Sequence, residues 1–119
     1  MTTLQKLAEK SDASQLTQED IASFATAHGQ TRDQVYDAIA IHLARGYADK
    51  SLTYEFCDSA MNFIMGLATY DVPKLAWSVY SAFDEGEYYH DKDSLDIDPA
   101  EKYTRPLIES ILRDTGTAA

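Results

Sequence analysis

Residues 53–68 constrain the fold most, because their apolar side chains recur at intervals of three and four residues. This spacing places the side chains on one face of a helix. The stripe consists of Phe56, Cys57, Ala60, Met61, Ile64 and Ala68, and Phe63 and Leu67 widen it. A helix with so broad an apolar face is predicted to lie at the centre of a packed domain. Its cysteine is then predicted to be a packed core thiol and not a reactive one.

Start and stop signals divide the rest of the chain into further helices. Thr17 with Asp20, and Thr31 with Gln34, have the spacing of capping boxes, and Gly29 is placed to end the helix between them. Asp71 is predicted to be the N-cap of a helix that has Pro73 in its first turn and stops at Gly86. The predicted helices cover residues 2–10, 17–29, 31–48, 51–68 or 53–68, 71–86 and a last segment that starts at 98 and ends before Gly116.

The last of these helices has a strong start and an internal proline. Asp98 and Pro99 are predicted to be the N-cap and the first helical residue. Pro106 leaves two alternatives: it kinks a single helix, or Thr104 caps a second helix.

No segment shows the alternation of a β-strand, so the predicted fold class is all-α. The 119 residues fit one domain, residues 1–119, with about six helices. Short connections favour antiparallel neighbours or stacked hairpins, with an acidic loop before the last helix.

The charge of −10 is concentrated in one segment. Residues 84–101 hold eight acidic residues against Lys92 alone, a net charge of −7. Clustered basic residues for nucleic-acid binding are missing, so a basic protein is the predicted partner.

No apolar stretch approaches the ~20 residues that span a bilayer. The N-terminus does not predict a signal peptide, and the single cysteine does not predict a disulfide. A cytoplasmic protein that binds no membrane is therefore expected.

The acidic loop, residues 84–98, contains a tyrosine pair, which offers rigid contact area within a negative field. The predicted partner-binding residues are Glu85, Glu87, Tyr88, Tyr89, Asp91, Asp93 and Asp96. In the other interpretation, both tyrosines pin the loop to the helices beneath it. The acid-flanked tyrosine pair, over residues 87–98, resembles bacterial immunity proteins that neutralise basic nucleases, although the preceding helices differ in number and spacing from that family. The resemblance implies an inhibitor-like protein.

Metal chemistry is the alternative for the same segment. Asp91, Asp93, Asp96 and Asp98 have carboxylate spacings that hard cations use, but Leu95, Asp96 and Lys102 occupy positions where an EF-hand needs other residues. The favoured interpretation is a solvated loop in which Asp98 caps the last helix.

His90 and Asp91 form the dipeptide of HD-type phosphohydrolases, which also need another histidine, here His28 or His42, and an aspartate such as Asp114. Neither His90 nor Asp91 is assigned as a metal ligand, and no catalytic residue or cofactor is predicted.

The sequence thus favours a non-enzymatic protein that binds a basic partner through residues 84–98. A metal-dependent helical hydrolase is the first alternative, and a self-associating structural protein, a homo-oligomer, is the second.

Three further residues receive ordinary structural roles. His42 is predicted to be a boundary residue satisfied by the backbone, and Asp58 and Asn62 are predicted to lie on a solvated face of the central helix.

Overall fold

A computed structural model describes residues 2–90 and 92–116. These residues form six α-helices and no strand, which confirms the predicted all-α class. The helices are α1 (Leu4–Asp12), α2 (Gln18–His28), α3 (Arg32–Ala48), α4 (Tyr54–Leu67), α5 (Lys74–Glu85) and α6 (Arg105–Asp114). In the described part of the chain, no helix is both long and apolar enough to cross a bilayer.

Threonine side chains begin the first four helices. Each hydroxyl accepts a hydrogen bond from a backbone N–H of the first turn, which satisfies a donor that has no partner within the helix. The four N-cap residues are Thr3, Thr17, Thr31 and Thr53. The backbone N–H groups of Thr17 and Thr31 in turn donate to the side-chain oxygens of Asp20 and Gln34, so both predicted capping boxes form.

The predicted cap of α5 is wrong. Pro73 occupies the N-cap position, and the Asp71 side chain is exposed and caps nothing. A carboxylate from another helix supplies the missing contact, because Asp37 Oδ1 of α3 accepts a hydrogen bond from the Ala76 N–H at 3.0 Å. Burial raises the pKa of Asp37, an effect that this hydrogen bond opposes. A tertiary contact therefore replaces the local cap.

The core is built around α3 and α4. α1 packs against both of these helices, α5 does the same, α2 packs against α3, and α6 packs against α3 and α5. Cys57 lies fully buried in this core with its thiol directed at the Leu43 carbonyl, and burial raises the pKa of that thiol to about 12. The prediction that Cys57 is packed in the core is confirmed.

Pro106 lies inside one continuous helical run. A π-helical turn, Ala100–Thr104, leads directly into α6. Thr104 has helical backbone angles and does not cap a second helix; its hydroxyl donates to the Ala82 carbonyl at 2.7 Å. A wide π-turn accommodates the proline, which lacks an N–H and crowds the preceding turn of a regular α-helix. Of the two alternatives, the single modified helix is the one formed.

Candidate functional site: the acidic loop after α5

The loop begins where three side chains hold the C-terminal end of α5. Tyr54 Oη donates to the Phe83 carbonyl at 2.6 Å, and Thr104 binds the Ala82 carbonyl as described above. A ring nitrogen of His90 lies 3.2 Å from the Glu85 carbonyl. The last carbonyls of a helix have no partner within it, so these contacts supply the missing hydrogen bonds. They also fix the position from which the loop starts.

Gly86 ends α5, as the sequence predicts, but its role is close packing. Its φ of −86° is open to any residue. A Cβ atom at this position would lie 2.2 Å from Thr104 Oγ1 and 2.9 Å from the Ala100 Cα. Glycine is therefore required here because α5 and the π-helical turn approach each other at this point.

Asp93 is the central anchor of the loop. Its carboxylate accepts hydrogen bonds from Lys102 Nζ, from the Tyr103 hydroxyl at 2.8 Å and from the His90 N–H at 2.8 Å. The hydrogen bond with Lys102, reinforced by those from Tyr103 and His90, lowers the pKa of Asp93 to about 2. Its side chain is only 6% exposed. The structure thus makes Asp93, predicted from the sequence to contact a partner, an internal anchor of the loop.

His90 is held between two tyrosine rings. Its ring centroid lies 4.8 Å from that of Tyr88 and 4.1 Å from that of Tyr103. Nε2 lies 3.0 Å from Glu85 Oε2, in addition to its contact with the Glu85 carbonyl. His90 and the partly exposed Glu85 therefore join the loop to the end of α5, so Glu85, predicted from the sequence to contact a partner, also has a structural role.

The loop exposes a group of large apolar side chains. In the described part of the chain seven such residues are exposed, and four of them belong to this loop. The four are Tyr88 (50% exposed), Tyr89 (45%), Leu95 (77%) and Ile97 (47%). The Tyr89 hydroxyl also donates to the Leu95 carbonyl at 3.2 Å, so one tyrosine orders the loop while its ring stays accessible. Leu95 and Ile97 were not predicted as site residues; their only sequence signal is apolar character among aspartates.

Glu87 connects the loop to the central helix. Asn62 Nδ2 donates to Glu87 Oε2 at 3.2 Å. Burial raises the pKa of Asp58, and a hydrogen bond and charge repulsion from Glu87 raise it further. Asp58 and Asn62 therefore both contact the loop. Asn62 is exposed, as predicted for a solvated helix face, whereas Asp58 is half-buried and the prediction is incorrect for it. Among the other predicted site residues, Asp96 is exposed, and Asp91 lies outside the described residues.

The histidines show no metal-binding arrangement in the described part. Within residues 2–90 and 92–116, no three or more histidine, cysteine, aspartate or glutamate side chains are placed to hold a metal ion. His28 stacks on Phe24, and His42 Nε2 lies 2.6 Å from Gln5 Oε1. The partner of His42 is thus a side chain and not the predicted backbone group.

The arrangement is suited to binding. An ordered loop holds exposed rings and aliphatic side chains in place, and carboxylates surround them. Rigid aromatic side chains lose little conformational freedom when they enter an interface. No protein-family model, curated protein or solved structure matches this chain.

Proposed function

We propose that this protein is a non-enzymatic interaction module that binds a basic protein through residues 84–98. The observation that carries this proposal is the clustering of exposed large apolar side chains on one ordered, acidic loop. Exposed apolar groups that lie together on an otherwise polar surface are typical of binding sites. The contact residues of this proposal are Tyr88, Tyr89, Leu95 and Ile97, with Glu87 and Asp96 supplying charge.

The charge of the segment determines the chemistry of the partner. With a net charge of −7 over residues 84–101, the loop repels nucleic acid and anionic membrane surfaces and attracts a basic protein surface. Complementary charge speeds encounter and selects the partner, while the apolar side chains supply most of the free energy of binding.

Preorganisation of the loop supports the same proposal. Asp93 and His90 are used inside the loop, so in this proposal they shape the surface without contacting the partner. A loop that is ordered before binding loses less conformational entropy when the complex forms. We place the protein in the cytoplasm, where a single unpaired cysteine such as Cys57 stays reduced. An inhibitor of a basic enzyme would be one form of this function.

Affinity capture compares the wild-type protein with the double variant Tyr88→Ala/Tyr89→Ala. We expect the wild type to retain a basic protein at low salt, and we expect the variant to lose it while its circular dichroism spectrum is unchanged. Leu107→Ala, which truncates an exposed apolar residue outside the loop, is the matched control and should retain the same protein. Equal capture by the wild type and the double variant would reject this surface.

The hydrolase alternative makes a different demand. It requires a metal ion bound through His90 and Asp91, so His90→Ala should abolish a metal-dependent rise in thermal stability. A ligand present at 100 times its Kd adds about 2.7 kcal/mol to the free energy of unfolding of the folded protein. No observation on the described residues favours this function, and it remains a sequence-based prediction.

A further inference from the structure

A second group of exposed aromatic side chains lies at the turn between α4 and α5. Tyr70 is 59% exposed and Trp77 is 44% exposed. The Tyr80 ring lies between them, with centroids 6.4 Å from Tyr70 and 5.8 Å from Trp77. We call these three residues the aromatic cluster. It contains the only tryptophan of the chain.

The backbone holds Tyr70 in this position at a conformational cost. Thr69 and Tyr70 both have positive φ, 51° and 61°. Left-handed angles are unfavourable for residues other than glycine, above all for a β-branched threonine. The Tyr70 N–H donates to the Met65 carbonyl at 2.8 Å, which fixes the turn. Local strain of this kind is concentrated at functional sites.

Negative charge lies beside the cluster. Asp84 follows Tyr80 by four residues on α5 and so shares its face of the helix. Burial raises the pKa of Tyr80, and the charges of Asp84, Glu87 and Asp58 add to this effect. Among nearby basic residues, Arg32 is held by the Asp71 carbonyl, and Lys74 lies one turn before Trp77.

Elsewhere the same chain places cations over aromatic rings. Arg32 lies 4.8 Å from the ring centroid of Tyr36, and Arg105 lies 4.5 Å from that of Tyr47. In the described part of the chain no such contact is formed to a ring of the aromatic cluster. Among the described residues, the cluster therefore combines exposed aromatic side chains with the adjacent Asp84 carboxylate and has no cation over its rings.

We propose that the aromatic cluster, together with Asp84, receives an arginine side chain of the basic partner. A guanidinium group is planar, so it stacks on aromatic faces and donates to a carboxylate at the same time. This inference rests on the proposed function and adds a second contact to it. The loop supplies the apolar surface, and the cluster selects arginine in the partner.

A hexa-arginine peptide tests the site directly, because Trp77 emission is a local reporter of the cluster. We expect a saturable change in emission at low salt. A hexa-citrulline peptide, which has a similar shape but no charge, should cause none. Tyr70→Ala should weaken binding of hexa-arginine roughly threefold or more. Because Tyr70 is exposed, the substitution should leave the fold intact. Asp84→Asn should weaken binding in the same direction.

Two controls separate this site from the loop. Tyr88→Ala should leave the emission titration with hexa-arginine unchanged, and Tyr80→Phe, which keeps the ring, should bind like the wild type. Unchanged Trp77 emission with hexa-arginine, or equal affinity in wild type and Tyr70→Ala, would overturn the arginine site. Capture of a basic protein that depends on Tyr88 and Tyr89 would still stand in that case, so failure of the arginine site is distinguishable from failure of the proposed function.

Discussion

The hydroxyl of Tyr103, on the π-helical turn, donates a hydrogen bond to the Asp93 carboxylate, 2.8 Å from each of its oxygens. This contact joins the acidic loop to the helical run that follows it. Together with the hydrogen bonds from Lys102 and His90, it gives both oxygens of the Asp93 carboxylate donors within the protein. A segment rich in like charges is thereby held in an ordered conformation.

Replacing Asp93 should therefore loosen the loop while the helices stay intact. Asp93→Asn keeps the size of the side chain but removes the charge that binds Lys102. In the wild type, the hydrogen bond from Lys102 is the main cause of the lowered pKa of Asp93, about 2. We expect faster amide hydrogen exchange in residues 87–97 and unchanged exchange in α3 and α4. Asp96→Asn, at an exposed position in the same loop, is the control. Equal exchange in wild type and Asp93→Asn would contradict the anchoring role.

Acid should produce the same loosening in the wild type. The pKa of Asp93 is lowered from an ordinary value of 3.8 to about 2 in the folded protein. Its contribution to stability is then fully present above pH 3.8 and is lost as the pH falls towards 2. Between pH 4 and pH 2, the protection of the loop amides relative to their intrinsic exchange rate at each pH should fall more in wild type than in Asp93→Asn.

Asp58 should have the opposite pH dependence. Burial and the neighbouring Glu87 raise its pKa above 3.8, so the folded state retains a proton that the unfolded state has released. The free energy of unfolding therefore falls as the pH rises from 3.8 through the raised pKa of Asp58 in the folded protein. We expect Asp58→Asn to stabilise the protein at pH 8 by about 1 kcal/mol, or roughly 4 °C in Tm. The gain should vanish below pH 4.

Thermal unfolding at pH 8 and pH 4 checks this expectation. Asp12→Asn removes an exposed carboxylate from the end of α1 and should show no such pH dependence. A destabilised Asp58→Asn protein at pH 8 would mean that the Asp58 carboxylate is favourably ionised in the fold.

Gly86 and Gly66 form a matched pair of glycines. An added Cβ at Gly86 would overlap Thr104 and Ala100, so Gly86→Ala should cost about 1–3 kcal/mol of the free energy of unfolding. Gly66 lies inside α4 with open space around it, so Gly66→Ala should stabilise by roughly 0.5–1 kcal/mol. Urea unfolding measures both changes. Similar changes in the free energy of unfolding for the two variants would show that the structure around Gly86 accommodates an added methyl group without loss of stability.

The tertiary cap of α5 offers a test between two aspartates. Asp37→Ala removes the acceptor for the Ala76 N–H and should cost about 1 kcal/mol. Asp71→Ala removes the residue that the sequence predicts as the cap, and it should have almost no effect because that side chain is exposed. Thermal unfolding of both variants decides between them. A larger loss of stability in Asp71→Ala than in Asp37→Ala would show that Asp71 caps the helix, as the sequence predicts.

The contrast between Asp37 and Asp71 illustrates what sequence patterns can predict. Helices whose start depends on neighbouring residues, such as those capped by Thr17 and Thr31, were predicted correctly because caps and apolar spacing are local. The Asp37 contact was missed because it joins residues 39 positions apart. The π-helical turn before Pro106 was missed for a related reason, since it depends on how the run packs against α5.

The site was predicted in the same uneven way. Composition located the loop and its tyrosines, and both tyrosine rings are exposed in the structure. Charge alone could not separate the buried Asp93 from the exposed Asp96, because that difference depends on Lys102 and Tyr103. Nor could it pair Glu87 with Asp58 and Asn62, since that contact arises only when the loop folds back onto α4.

Side-chain footprinting by hydroxyl radicals tests the central claim most directly, since it compares the free protein with its complex with the captured basic partner. The proposed function predicts that Tyr88, Tyr89, Leu95 and Ile97 are oxidised in the free protein and protected in the complex. Leu107, which is 43% exposed and lies outside the loop, should be oxidised in both states. Unchanged oxidation of the four loop residues, with protection elsewhere on the surface, would contradict the assignment of this loop as the binding surface.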